Sequence, residues 1–221
     1  MTDFARARRT MVDTQVRVND VTDPRIVDAL LAVPRELFVP PALKSLAYLD
    51  DDLVVSAPGA PNRHILEVMV FARLIHAAAI SADDVVLDVG CASGYSAAVL
   101  GRVASSVIAV EEDAALAAEA GRLIAETGSG NVAVITGPLA EGAARHGPFD
   151  VIVLEGCVEQ VPDALLGQLR VGGRLVALVG TGRSAKAMVF TYVGGSVSAR
   201  IAFDAASPLL PGFAKTPGFV F

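Results

Sequence analysis

The sequence has few of the residues that mark a disulfide-rich, metal-binding or membrane-spanning protein. Its two cysteines, Cys91 and Cys157, lack the spacing of a zinc site and are too few for a disulfide scaffold. The longest apolar region, residues 65–80, is interrupted by charged residues and is too short to cross a bilayer. No apolar signal core follows the N-terminal arginines. These absences predict a cytoplasmic protein with free thiols and no metal.

Basic residues are also in the minority. Lysine and arginine together number 18 against 24 aspartates and glutamates, which gives a formal net charge of −6 at pH 7. No basic stripe stands out, so we expect neither nucleic acid nor a membrane as a partner, and the oligomeric state stays open. The 221 residues, 53% of them hydrophobic, suffice for one α/β domain with a substantial core.

The most informative stretch is an apolar strand that leads through a glycine turn into a helix. The strand, residues 85–89, is followed by Gly90-Cys91-Ala92-Ser93-Gly94. Gly90 can adopt backbone angles that other residues avoid, and the small Ala92 and Gly94 let a ligand approach the main chain. The start of the helix would direct N–H groups and the positive end of its dipole at a carboxylate or phosphate. The stretch therefore predicts a nucleotide-type binding site.

Two nucleotide motifs are excluded by single residues. A dinucleotide fingerprint needs glycine at position 95, where the chain has Tyr95, and no Gly-Lys-Ser/Thr of a P-loop occurs. The remaining G-x-A-x-G pattern, with Asp88 before it, resembles motif I of class I S-adenosylmethionine methyltransferases. The next strand ends at Glu111, which lies 23 residues after Asp88. An acid there can accept hydrogen bonds from both ribose hydroxyls.

Helical and strand patterns alternate along the remainder of the chain. This alternation predicts an α/β fold with a doubly wound, mostly parallel Rossmann-like sheet. Gly194-Gly195 between two apolar runs predicts a closing antiparallel hairpin over residues 187–203. The predicted helices cover residues 3–19, a segment starting at Asp23-Pro24, and residues 41–48, 64–79, 94–103, 113–127 and 161–169. The predicted strands cover residues 84–90, 106–111, 131–136, 149–155 and 173–179.

Three regions follow from this pattern. Residues 1–63 are expected to form an N-terminal helical extension and active-site loop. Residues 64–205 are expected to form the cofactor-binding methyltransferase core. The apolar, proline-containing residues 206–221 are expected to pack as an extended C-terminal strap.

Several segments together resemble the protein-L-isoaspartate O-methyltransferase family. The resemblance extends roughly over residues 10–180 and is carried by residues 11–16, 33–40, 46–48, 88–99, 148–152, 161–162 and 168–176. It implies S-adenosylmethionine as cofactor, and damaged proteins or peptides carrying isoaspartyl residues as partners. The implied reaction is methylation of isoaspartyl carboxylates for protein repair. Alternatives are a methyltransferase for a different acceptor, or a cofactor-binding module without repair activity.

The resemblance also implies the site residues. His64, Leu66 and Glu67 fall on the family's active-site stretch, where Leu66 replaces a serine that would hold the incoming carboxylate. A shifted register would instead bring Ser56 to that role. Where the family has Gly-Asp-Gly near the adenine, this chain has Pro138 after a glycine. The residues placed against the cofactor are Asp88, Gly90, Cys91, Ala92, Gly94, Glu111, Glu112, Pro138, Leu139 and Glu155.

Two of these residues have a second interpretation. Glu155 at the carboxyl edge of the sheet would stabilise a sulfonium charge, or it is a solvated or helix-capping acid. His64 would face the transfer site as a hydrogen-bond donor or base, or it is a partly exposed histidine at a helix start.

Overall fold

The computed structural model describes residues 3–215, and a single large sheet forms its core. The strands are β1 (Leu53–Val54), β2 (His64–Ile65), β3 (Val85–Val89), β4 (Ser106–Glu111), β5 (Val132–Thr136), β6 (Phe149–Val158), β7 (Leu169–Val179), β8 (Lys186–Val193) and β9 (Ser196–Asp204). The large sheet has seven strands in the order β5-β4-β3-β6-β7-β8-β9. Strands β1 and β2 pair separately.

The sheet is parallel except at one side. Strands β3 to β7 run parallel to one another, whereas the pairs β7–β8 and β8–β9 are antiparallel. The central parallel strands β3, β4 and β6 are mostly buried apolar runs, as a sheet covered on both faces requires, whereas the edge strand β5 is partly exposed. The hairpin turns at Gly194 and Gly195, whose φ angles of 61° and 84° suit a two-residue turn. The predicted sheet and the predicted closing hairpin are confirmed.

Helices cover both faces of the sheet. They are α1 (Phe4–Met11), α2 (Pro24–Ala32), α3 (Val68–Ala77), α4 (Tyr95–Leu100), α5 (Ala114–Glu126) and α6 (Asp163–Leu166). Short π and 3-10 turns continue α1 to Asn19, as the prediction of a helical segment over 3–19 expects. Asp23 caps α2, since its carboxylate accepts a hydrogen bond from the Arg25 amide at 2.9 Å. Within residues 3–215, every helix is too short or too polar to traverse a lipid bilayer.

Several predicted helix boundaries are wrong, and the helix predicted over 94–103 ends at Leu100. His64 and Ile65 do not begin a helix; they pair with residues 53–54, and α3 starts only at Val68. The Asp52 carboxylate accepts the Glu67 amide at 2.9 Å and so satisfies a free N–H next to the start of α3. The local hydrophobic pattern does not encode pairing between segments that are separated in the sequence. The helix predicted over 161–169 is limited to residues 163–166, because Leu169 already belongs to β7.

The described part of the C-terminal strap, residues 207–215, packs along the carboxyl end of β6. The Leu210 amide donates to the Cys157 carbonyl at 2.8 Å, and the Cys157 amide donates to the Pro208 carbonyl at 3.0 Å. Leu210 and Phe213 are buried. The remainder of the predicted strap, 216–221, lies outside the described residues.

Candidate cofactor and acceptor site

Three residues of the glycine turn after β3 have positive φ angles, of which only that of Gly90 was expected from the sequence. Gly90, Ala92 and Gly94 have φ angles of 84°, 49° and 94°. Positive φ is readily accessible to glycine and uncommon for alanine, so the turn carries backbone strain at Ala92. A Cβ on Gly94 would lie 3.0 Å from the Cβ of Ala120 in α5. Glycine at 94 therefore serves close helix packing as well as turn geometry.

Glu111 faces this turn from the end of β4. Its Oε2 accepts hydrogen bonds from the Ala92 amide at 2.8 Å and from Arg63 Nη2 at 2.8 Å. Its Oε1 accepts from Arg63 Nε at 3.1 Å and from the amides of Glu112 and Asp113 at 3.0 and 3.2 Å. A carboxylate has about four lone-pair sites, so these five contacts leave none for a ribose hydroxyl. Glu111 lies at the end of β4 as predicted, but Arg63 donates to both of its carboxylate oxygens.

The space directly above Gly90 is filled by three side chains of the protein itself. A Cβ built on Gly90 would lie 2.9 Å from Arg63 Nη2, 3.1 Å from Leu210 Cδ2 and 3.6 Å from Leu139 Cδ1. We call Arg63, Leu139 and Leu210 the internal plug. The arrangement of this structure therefore does not fit S-adenosylmethionine.

A cavity remains between the turn and the predicted acceptor stretch. His64, Leu66, Gly90, Cys91 and Glu155 are among the residues that line it, and its volume is about 10 Å³. Small-molecule sites measure about 300–1,000 Å³, whereas about 10–15 Å³ holds one water molecule. The structure thus brings predicted cofactor and acceptor residues together, with room between them for no more than about one water.

Two buried carboxyl groups lie behind the turn. Asp88 accepts a hydrogen bond from the Ser96 hydroxyl at 2.7 Å through Oδ2. Its Oδ1 and the Oε1 of Glu155 are buried without a hydrogen-bond partner among residues 3–215. Burial raises the pKa of both groups, and the Asp88 charge raises that of Glu155 further. Of the two interpretations of Glu155, its burial contradicts the solvated acid.

The cysteines are separate buried thiols. Cys91 lies in the turn and Cys157 under the strap, and both are free. Burial raises the pKa of the Cys91 thiol well above its usual range, with a further contribution from the Asp88 charge. Cys91 therefore stays protonated and is a poor nucleophile.

The residues of the predicted acceptor stretch differ in burial and in pKa. The Leu66 side chain is buried, and its carbonyl accepts a hydrogen bond from Arg35 at 2.7 Å. Burial lowers the pKa of the half-buried His64. Burial, with the charges of residues 50–52, raises the pKa of Glu67 to about 7. Ser56, the alternative acceptor residue, accepts a hydrogen bond from the Arg63 amide at 3.1 Å.

The remaining predicted residues divide between surface and core. Glu112 and Pro138 are exposed, whereas Leu139 is buried as part of the internal plug. The sequence reasoning missed Arg63 and Leu210, which lie in an irregular loop and in the proline-containing tail. No motif links an acid to an arginine 48 residues earlier, so only the fold reveals this pair. Residues 3–215 contain no cluster of three or more His, Cys, Asp or Glu side chains suited to a metal.

The strand order, the glycine turn and the acid at the end of β4 define a class I methyltransferase fold. The sequence profile of the family described as protein-L-isoaspartate(D-aspartate) O-methyltransferase (PCMT) matches residues 6–204. The chain therefore belongs to that family.

Named relatives agree with this assignment. The chain is 40% identical to the protein-L-isoaspartate O-methyltransferase of Koribacter versatilis over 181 residues, 82% of this chain and 80% of the relative. It is 38% identical to the enzyme of that name from Rhodopseudomonas palustris over 179 residues, 81% of this chain and 80% of the relative.

Solved structures show the same fold. One protein-L-isoaspartate O-methyltransferase superposes with a TM-score of 0.82 at 25% identity and covers 93% of this chain, while this chain spans 66% of it. A Plasmodium falciparum chain described as a protein-L-isoaspartate O-methyltransferase, solved in complex with S-adenosyl-L-homocysteine, gives a TM-score of 0.74 at 18% identity. That comparison covers 94% of this chain and 97% of the other.

Proposed function

We propose that this chain is an S-adenosylmethionine-dependent carboxyl O-methyltransferase that methylates isoaspartyl residues of damaged proteins or peptides. The family match over residues 6–204 and the names of its relatives support this function. The structural observation that carries it is Glu111, whose carboxylate faces the glycine turn and accepts the Ala92 amide at 2.8 Å. An acid in that position is what a class I fold uses for a nucleoside ribose.

The proposed site draws on all three predicted regions. Within the described residues, the core region supplies the glycine turn and Glu111, the N-terminal region supplies Arg63 and the strap supplies Leu210. The proposed cofactor residues remain Asp88, Gly90, Cys91, Ala92, Gly94, Glu111, Glu112, Pro138, Leu139 and Glu155. The proposed acceptor residues remain His64, Leu66 and Glu67.

Leu66 favours a second candidate function. Its buried apolar side chain cannot donate a hydrogen bond to an incoming carboxylate, whereas the family has a serine there. A family member that binds the cofactor without repairing isoaspartyl residues, or that methylates another acceptor, would be expected to lack that serine. The cytoplasmic location stays a prediction, supported by the two free thiols.

One assay distinguishes these functions. The protein is incubated with methyl-labelled S-adenosylmethionine and an isoaspartyl peptide, and in parallel with the matched aspartyl peptide. Base-labile label in the isoaspartyl peptide alone is the expected result. Label in neither peptide, together with calorimetric binding of S-adenosylhomocysteine, would instead identify the second candidate. The Leu66→Ser variant is the matched comparison, and we expect it to incorporate more label than the wild type.

A further inference from the structure

Two segments from outside the methyltransferase core meet at one point inside it. Arg63 comes from the loop between β1 and β2, and Leu210 comes from the C-terminal strap, 147 positions further along the chain. Both side chains would lie within 3.1 Å of a Cβ at Gly90, in the place where a ligand would approach the turn. Leu139 approaches the same point from the segment after β5.

Arg63, the polar residue of the internal plug, is held in position at its guanidinium group and at its backbone. The Arg63 side chain is 3% exposed, and its partner Glu111 is 0% exposed. The two nitrogens Nε and Nη2 contact the two carboxylate oxygens, which is the bidentate arrangement that arginine favours. At the backbone, the Arg63 amide donates to the Ser56 hydroxyl at 3.1 Å, and the Arg63 carbonyl accepts the Val55 amide at 2.8 Å. Arg63 is therefore a positioned group and not a surface side chain folded inward.

The apolar half of the plug is continuous with the hydrophobic core. Leu139, Leu210 and Phe213 belong to one buried cluster that also contains Val89 at the end of β3 and Val110. The strap that carries Leu210 is hydrogen-bonded to β6 through both the amide and the carbonyl of Cys157. The space over Gly90 is thus filled by well-packed apolar groups as well as by an ion pair.

We call the space above the turn of residues 90–94 the cofactor cradle. From these contacts we propose that the internal plug holds the cofactor cradle closed, and that S-adenosylmethionine binds only after Arg63 leaves Glu111 and Leu210 leaves Gly90. This inference rests on the proposed function, since it assumes that the open cradle accepts the cofactor. Residues 206–215 of the strap and the 55–65 loop then act as a gate, and the contacts above define its closed state.

A gate of this kind weakens the cofactor's apparent affinity in a calculable way. The apparent dissociation constant equals the intrinsic constant divided by the fraction of molecules in the open state. A chain that is open about 1% of the time therefore binds about 100-fold more weakly than an always-open one. A substitution that weakens the closed state alone raises the open fraction and tightens apparent binding.

Leu210→Ala is the substitution that tests the gate. It removes the side-chain atoms over Gly90 and leaves the backbone bonds of the strap in place. Leu209→Ala is the matched control, because Leu209 is adjacent in the same strap and 41% exposed. With S-adenosylhomocysteine as titrant in calorimetry, we expect Leu210→Ala to bind at least about tenfold more tightly than the wild type. Leu209→Ala should bind as the wild type does.

A second measurement uses the unaltered protein and so does not depend on the variant folding. Hydrogen exchange is followed at the amides of Cys157 and Leu210, which are bonded between β6 and the strap. Saturation with S-adenosylhomocysteine should make both amides exchange faster, because the strap has to leave. A lid that closes over a bound cofactor would make them exchange more slowly.

The outcomes separate the two proposals. Equal affinity in wild type and a folded Leu210→Ala, or slower exchange in the strap on binding, overturns the plug and leaves the proposed function intact. If neither the wild type nor the folded Leu210→Ala and Arg63→Gln variants bind S-adenosylhomocysteine, the cofactor assignment of the proposed function fails, and the gate fails with it.

Discussion

At the scale of single residues, Arg63 and Glu111 form the most deeply buried ion pair in the described part of the chain. Burying two charges costs roughly several kcal/mol per ion in lost hydration. The attraction between the charges offsets this cost only when their geometry is good and their other lone pairs are hydrogen-bonded. Both conditions hold, since three backbone amides also donate to the Glu111 carboxylate. The pair is consequently stable when intact and costly when one partner is removed.

Arg63→Gln should destabilise the ligand-free protein by roughly 3–5 kcal/mol, because it leaves a buried carboxylate without its counter-charge. The free energy of unfolding in urea measures this change. Arg122→Gln is the control, since Arg122 pairs with Glu119 while both side chains are about half exposed. A much smaller loss is expected for it, because water screens an exposed ion pair. A loss of the same small size for Arg63→Gln would contradict a buried pair.

Glu67 should make stability depend on pH. Burial, with the neighbouring charges of residues 50–52, raises the pKa of Glu67 from 4.5 to about 7. The folded state then binds the Glu67 proton more tightly than the unfolded state. The contribution of Glu67 to stability is therefore fully present below pH 4.5 and is lost as the pH rises to about 7. Glu67→Gln removes this titration and should lose less stability between about pH 5 and about pH 8.

Urea unfolding at these two pH values measures the Glu67 effect. Glu112→Gln is the matched control, because Glu112 is exposed. Its pH dependence should follow that of the wild type. An identical pH dependence in Glu67→Gln and wild type would show that Glu67 is not shielded from solvent as described.

At the scale of elements, the end of β4 and the start of α5 form one connected cap. Asp113 caps α5, since its Oδ1 accepts hydrogen bonds from the Ala115 and Leu116 amides at 2.8 and 3.1 Å. The Asp113 amide in turn donates to Glu111 at 3.2 Å. The orientation of the Glu111 carboxylate is therefore coupled to the start of the helix.

Asp113→Ala should destabilise the protein by about 0.5–2 kcal/mol, because the first amides of α5 lose their acceptor. Asp113→Asn keeps a capping oxygen and should cost less than half as much. Thermal or urea unfolding of both variants measures the difference. Equal losses in the two variants would mean that the Asp113 side chain does not cap the helix in solution.

Elements that follow from local patterns were predicted well, and those made by distant contacts were not. The strand at residues 106–111 and the turn at Gly194-Gly195 have the predicted bounds, because apolar runs and paired glycines encode them directly. The start of α3 was misplaced because residues 64–65 pair with a segment about ten positions earlier. Only the fold brings these segments together.

At the scale of the whole molecule, the family was accessible from the sequence, but the packing around the glycine turn was not. Asp88, the glycine turn and Glu111 form a recognisable sequence pattern, and the Glu111 carboxylate accepts the amide of Ala92 in the turn. Arg63 and Leu210 have no motif, and their arrival at that point depends on how the N-terminal loop and the strap pack. The closed cradle is therefore a property of the assembled chain.

The most direct test of the closed cradle is a crystal structure of the wild-type chain with bound S-adenosylhomocysteine. Arg63 Nη2 and Glu111 Oε2 are 2.8 Å apart in the closed state. The account predicts that this pair is broken in the complex, that Glu111 contacts the ribose, and that Leu210 has left Gly90. S-adenosylhomocysteine bound in the cradle with the Arg63–Glu111 pair intact would contradict it.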